Sequence, residues 1–395
     1  MDVAVTAMFG VSDQFGRILL MPGLLHPPAS LIRPQVNTRV TALRPDGLAW
    51  EEHAADTPRF PGPARRLLIE GQRTNSCTHP VAIGAAPWTT QLGSGQTLTV
   101  TGGRPGSPAN TSDATRLNST GDTTRLGSWT TTPGAVHTVS VFARRSPEAA
   151  ANQAFRLTGT APLSVSADFT ATASWQRFSW QYTPTAGSTP IGVTRPASNA
   201  AYDIEVWGFQ VEVGGFASTL ILPPVASPGA STRAPDSFSV PLSSLGIGGN
   251  GACTVLWSGM IPQAAPASMQ QSIAQIDQGW DSDRYQLRMA LGSSTIEIIR
   301  ANAGVGQIVA VGGTTPGTPF RAGFTVDGAG RMAASVNGGA IAVATGGPTS
   351  GLVTFRLGAR AGADQNMFGE TAHLRVLPFA LADSALQGAI AALPA

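Results

Sequence analysis

The chain has no lysine; all 25 of its basic residues are arginine. That absence excludes a P-loop, whose lysine reaches the nucleotide phosphates, and Schiff-base catalysis, which needs an amine nucleophile. Charge of either sign is sparse, at 12% of 395 residues with a net charge of +2. The arginines are scattered, with Arg65-Arg66 and Arg144-Arg145 the only adjacent pairs. No basic face with interleaved aromatics emerges, so no nucleic-acid partner is expected. Cys77 and Cys253 cannot build a disulfide framework, and each is expected to be a small buried hydrophobe. No apolar run approaches the ~20 residues that span a bilayer, so no membrane insertion is expected. The start, with Asp2 and no basic segment leading into an apolar core, does not read as a secretory signal. Asn110 and Asn118 then read as turn residues rather than glycan acceptors. Neither G-x-S-x-G nor H-E-x-x-H occurs, and the five histidines are isolated, so no catalytic residue is assigned.

What is abundant is glycine (46) and proline (30), with 42% hydrophobic residues in alternating patterns. Together these point to turn-rich β structure. Leu163, Val165, Ala167 and Phe169 interleave with polar residues, as do Phe178, Trp180 and Tyr182. Glu205, Trp207, Phe209, Val211 and Val213 share one face. The expected fold is all-β: two tandem β-sandwich (jelly-roll) domains behind an extended N-terminal arm, closed by a short helix. Residues 1–66, broken by Pro22, Pro27, Pro28, Pro34 and Pro45, read as the docking arm. Residues 67–242 form the first sandwich and 243–251 a glycine-rich linker. Residues 252–395 form the second, with an Asn337-Gly338 hairpin turn. A helix over 383–393 is expected behind an Asp383 or Ser384 cap. Gly246–Gly251 satisfies G-x-G-x-x-G, but a strand follows where phosphate binding needs a helix N-terminus, so it is assigned to the linker. Trp88, Trp129 and Trp207 are expected in the core.

Leu67–Asn75 (LLIEGQRTN) joins an apolar triplet to a polar turn. Glu70 and Arg73 are close enough to pair, and Asn75 can bond its own backbone, giving an ion-paired structural corner. The stretch resembles the L-x-E-x-x-R-T-N motif of bacteriophage head-spike-fibre and related tail-fibre proteins. Ala29–Arg33, Arg44–Gly47 (RPDG), Ala55–Phe60 (ADTPRF), Val206–Gly214 (VWGFQVEVG) and Thr232–Asp236 (TRAPD) are similar to the same family, in the same order. That resemblance implies a carbohydrate-binding-module-like first sandwich on a phage or gene-transfer-agent particle. The second half resembles a concanavalin-like (laminin-G-type) lectin sandwich in its Ala334–Gly339 hairpin, Arg356–Gly358 strand end and closing helix.

The most site-like cluster is DQGWDSDRY, residues 277–285. Trp280 and Tyr285 offer apolar faces for pyranose rings, and Asp281, Asp283 and Arg284 offer hydrogen bonds to hydroxyls. The plainer alternative is a solvated β-loop with a buried tryptophan. No cofactor is assigned, although Asp277, Asp281 and Asp283 are candidate calcium ligands. The functional expectation is a non-enzymatic homo-oligomer on the virion surface, assembled in the bacterial cytoplasm. It would bind host capsule or envelope polysaccharide and contact a capsid or tail protein through residues 1–66. The alternatives are a depolymerase using Asp281 and Glu297, and a purely structural decoration protein.

Overall fold

The computed structural model describes residues 17–25, 30–32, 39–44, 50–54, 56–224, 228–362 and 364–394. The fold is all-β, made of antiparallel sheets with one short C-terminal helix, Asp383–Ala391. Two compact units emerge, and neither is continuous in sequence. Unit 1 comprises residues 1–34, 55–71 and 235–395; unit 2 comprises 35–54 and 72–234.

In unit 1 two sheets enclose a large apolar core. One runs in the order Leu24–Leu25, Arg17–Met21, Gly369–Leu377, Cys253–Met260, Phe320–Val326, Met332–Val336, Ala342–Ala344, with Leu67–Ile69 also paired to Gly369–Leu377. The other runs Val305–Gly313, Thr295–Asn302, Arg284–Met289, Gln271–Asp277, Thr354–Leu357, Ser237–Pro241, Ser30–Ile32. Alternation sets the two faces of this second sheet: Tyr285, Leu287 and Met289 enter the core, while Arg284, Gln286 and Arg288 take the opposite face.

In unit 2 a five-stranded sheet (Gln176–Tyr182, His137–Arg145, Tyr202–Val213, Ala114–Ser119, Leu98–Arg104) accompanies a second one. That second sheet orders Leu163–Val165, Gln153–Thr160, Ser188–Thr194, Thr123–Thr130 and Thr89–Leu92. Trp88 and Trp129 pack edge to face at 5.0 Å within the core, and Trp207 is buried beside Phe142. Both cysteines are free and buried, and burial pushes the Cys253 thiol up to about 12.

Three expectations differ from these findings. The described parts of 1–66 are not an arm apart from the sandwiches: 17–25 and 30–32 form sheet edges in unit 1, and 39–43 pairs with 50–53 in unit 2. Residues 1–16, 26–29, 33–38, 45–49 and 55 of the expected arm lie outside the described residues, and with them Ala29, Arg33, 45–47 and Ala55 of the family-like segments. An open sheet edge gains by pairing with any extended segment, and sequence order does not report which segment supplies it. The expected linker is also part of unit 1. Leu242–Leu245 form a 3-10 turn, and Leu242, Leu245 and Ile247 pack into the core. Lastly, the C-terminal helix has no side-chain cap: Asp383 instead binds Arg331 through both carboxylate oxygens at 2.8 Å. Leu386 and Ile390 hold the helix against Leu256 and Leu377.

Candidate functional site

The family-like motifs converge, within each unit, on buried clamps. In unit 1 the fully buried Arg59 donates to Glu70 and Asp236, each at 2.7 Å. These three residues come from ADTPRF, the L-x-E motif and TRAPD. The two carboxylates raise the Arg59 pKa against the opposing cost of burial. In unit 2 Asn75 is fully buried. Its amide donates to the Phe209 and Ile221 carbonyls (3.3 and 3.0 Å), and its oxygen accepts from the Cys77 and Val211 amides (both 3.0 Å). Arg73 lies 3.9 Å from Glu212 and over the Phe216 ring. Buried charge that is fully paired in this way fixes chain geometry.

The 277–285 cluster is a hairpin. Asp277 stands opposite Arg284 across the antiparallel pair, and residues 278–283 make the connection, with Gly279 at φ 99°. Asp277 is fully buried. It accepts from Arg356 Nε (2.8 Å), Gln275 Nε2 (2.9 Å) and the Gly279 amide (2.7 Å). Asp281 accepts from Gln275 Nε2 at 3.2 Å and pairs with Arg360 at 3.2 Å. Asp283 accepts from Gln278 Nε2 (2.8 Å) and the Ala303 amide (3.0 Å). Arg284 donates to the Asp281 carbonyl, and burial lowers its pKa. Trp280 is left outside this network, 76% exposed.

Two expectations are corrected by this geometry. Tyr285 offers no face to a sugar: it is fully buried in the core with Leu287 and Met289. The period-two pattern Tyr285, Leu287, Met289 carries that signal in the sequence. The calcium set does not fit a hard cation. Asp277 is taken by Arg356, Asp281 by Arg360 and Asp283 by amide donors, and no acidic or histidine cluster able to hold a metal occurs among the described residues. Glu297, named for the hydrolytic alternative, is paired with Arg288 at 2.6 Å.

Unit 2 carries a surface that sequence reading missed. A groove of about 570 Å³ crosses the outer face of the sheet containing Gln153–Thr160 and Ser188–Thr194. Thr124, Thr158, Thr194 and Leu126 floor it, and the exposed Leu92, Leu163 and Val165 stand at its edges. Arg156 and Arg195 close one end, with Asp168 and Asp122 as their respective partners. Gly192 lies opposite Leu126 on the neighbouring strand. Hydroxyls, aliphatic edges and fixed charges in an open trough can hold an extended polar chain. The floor is assembled from three strands far apart in sequence, which explains why no local motif announced it.

No family model and no curated protein sequence matches the chain. Among solved structures it is similar to the CBM40 module of a Ruminococcus gnavus IT-sialidase bound to α2,3-sialyllactose. That match has 15% identity, a TM-score of 0.30 and coverage of 35% of this chain and 82% of that one. It is also similar to the CBM22-1 xylan-binding domain of Paenibacillus barcinonensis Xyn10C, at 15% identity, TM-score 0.26, 36% of this chain and 94% of that one. The tandem CBM22-1-CBM22-2 domain of the same protein covers 73% of this chain and 92% of its own length, at 11% identity and TM-score 0.25. At these identities and scores the likeness assigns no ligand to the chain.

Proposed function

We propose that this chain is a non-catalytic glycan-binding protein on the surface of a phage or phage-like particle, where it recognises host capsule or envelope polysaccharide. The observation that carries the reading is Trp280. Its indole is 76% exposed at the tip of a hairpin whose acidic residues are all held by hydrogen bonds. An aromatic that folding leaves in water, mounted on a rigid polar frame, is suited to stack on a sugar ring while Asp281 and Arg360 meet its hydroxyls. Such single contacts are weak. Repetition on a homo-oligomer raises avidity by about 10²–10⁴ without new contacts. The N-terminal segment, residues 1–66, joins the particle.

The test is binding of the purified chain to immobilised capsular polysaccharides, with reducing ends assayed in parallel. Trp280→Ala is expected to weaken binding at least about tenfold, a loss of ~1.4 kcal/mol, with no sugar released by either protein. Equal binding by both proteins, or none by the wild type, refutes the reading; release of reducing ends moves the protein to the hydrolytic class.

A further inference from the structure

Arg116, Arg356 and Arg288, each partly or largely buried, meet carboxylates through the Nε–Nη2 edge. Arg116 donates from Nε and Nη2 to the two oxygens of Asp203, at 2.7 and 2.6 Å. Arg356 reaches Asp277 from Nε and Nη2 at 2.8 and 3.4 Å. Arg288 Nε and Nη2 both lie 2.6 Å from Glu297 Oε1. Arg300, on the strand Thr295–Asn302 of unit 1, differs from these three. It is 6% exposed, and its Nε and Nη2 are buried with no hydrogen-bond partner. An interior charge without a counter-charge is among the least favourable arrangements in a folded protein.

Its surroundings contain further unused donors. Arg300 stands opposite Tyr285 on one neighbouring strand and Gln307 on the other. The Tyr285 hydroxyl is buried and unpartnered, and so is Thr349 Oγ1. The loop that carries Thr349 lies directly on the guanidinium: a Cβ at Gly346 would sit 2.3 Å from Arg300 Nη1. The loop is pinned there by Asn302 Nδ2 to the Pro348 carbonyl (3.0 Å) and by the Thr345 amide to Gln307 Oε1 (2.8 Å). Two donors on one edge of a planar fork are therefore buried without a partner.

We propose that Arg300, assisted by the hydroxyls of Thr349 and Tyr285, is a binding site for a carboxylate. Two parallel N–H groups on one guanidinium edge match the two oxygens of a carboxylate, whereas a spherical anion uses only part of that geometry. The carboxylate belongs either to a small free acid or to an acidic sugar within a glycan. The site stands whether or not Trp280 binds sugar.

The experiment measures thermal unfolding and titration calorimetry of the full chain with acetate, glucuronate, glucose and a glucuronate-containing oligosaccharide, at ionic strength matched with sodium chloride. Acetate and glucuronate are expected to raise Tm and bind saturably, while glucose and chloride do not. Arg300→Met is expected to lose at least tenfold in affinity, with an unliganded Tm equal to or above that of the wild type, because the unmatched charge is gone. Thr349→Val, expected to weaken binding several-fold, keeps the test intact should Arg300→Met fail to fold. Acetate binding as tightly as glucuronate identifies a free acid; the oligosaccharide binding more tightly than both identifies a glycan. No response to any carboxylate in the wild type, or equal responses in wild type and variants, overturns the proposal.

Discussion

Replacing Asn75 by alanine is the sharpest test of the clamp in unit 2. The side chain is fully buried and makes four hydrogen bonds, two given to the Phe209 and Ile221 carbonyls and two taken from the Cys77 and Val211 amides. Alanine leaves those amides without the acceptor they now use, in a site closed to water. A buried donor left unsatisfied costs about 1–3 kcal/mol, so the two together predict a loss of about 3–5 kcal/mol after partial relaxation. Asn75→Asp refines the argument. It keeps an acceptor for the amides but turns a carboxylate oxygen toward two carbonyls, so its folded-state pKa should rise. A raised carboxyl pKa means the penalty is full at neutral pH and eases as pH falls and the group protonates. Because the chain has two units, the assay is chemical denaturation read by hydrogen exchange on unit 2 peptides, which avoids a single global midpoint. A loss below about 1 kcal/mol for Asn75→Ala, or an Asn75→Asp variant insensitive to acid, refutes the clamp.

His137 and Gly192 supply two further predictions. His137 Nε2 accepts from the Thr132 amide at 3.2 Å while Nδ1 lies 2.9 Å from the Ala135 carbonyl, an arrangement that only the neutral ring satisfies. Burial lowers its pKa, so unit 2 keeps this stability above the unfolded value of about 6.5 and loses it as pH falls from there toward the folded pKa. Denaturation at pH 7.5 and 5.5 should show a loss in the wild type that shrinks in His137→Gln; equal losses in both would refute the assignment. Gly192→Ala should cost more than about 2 kcal/mol, because the new Cβ would lie 1.9 Å from the Arg125 carbonyl, a backbone atom that cannot swing aside. An unchanged Tm would show that the sheet under the groove yields more than its packing implies.

The division between what is legible in the sequence and what folding added follows from the range of each interaction. Alternation is local, and it was enough to establish an all-β chain, to place Trp88, Trp129 and Trp207 inside, and to indicate the Asn337-Gly338 turn, whose two residues have φ of 54° and 73°. The same period places Tyr285 inward, although its neighbour Trp280 made the pair look like one platform. Glycine richness read as a joint at 243–251, but local composition carries no record that Leu242, Leu245 and Ile247 have a core to enter. Longer-range results were not legible at all. The edge strands taken from 17–25 and 30–32, the meeting of Arg59 with Asp236 and the threonine floor of the groove join residues whose separation in sequence no periodic pattern spans. Arg300 belongs to that class too: an arginine in an apolar strand is ordinary as sequence, and only packing shows its Nε and Nη2 buried without a hydrogen-bond partner among the described residues. Short-range order follows from the alternation of side chains along the backbone, whereas pairing between strands depends on which edges and charges remain unsatisfied once the chain has collapsed.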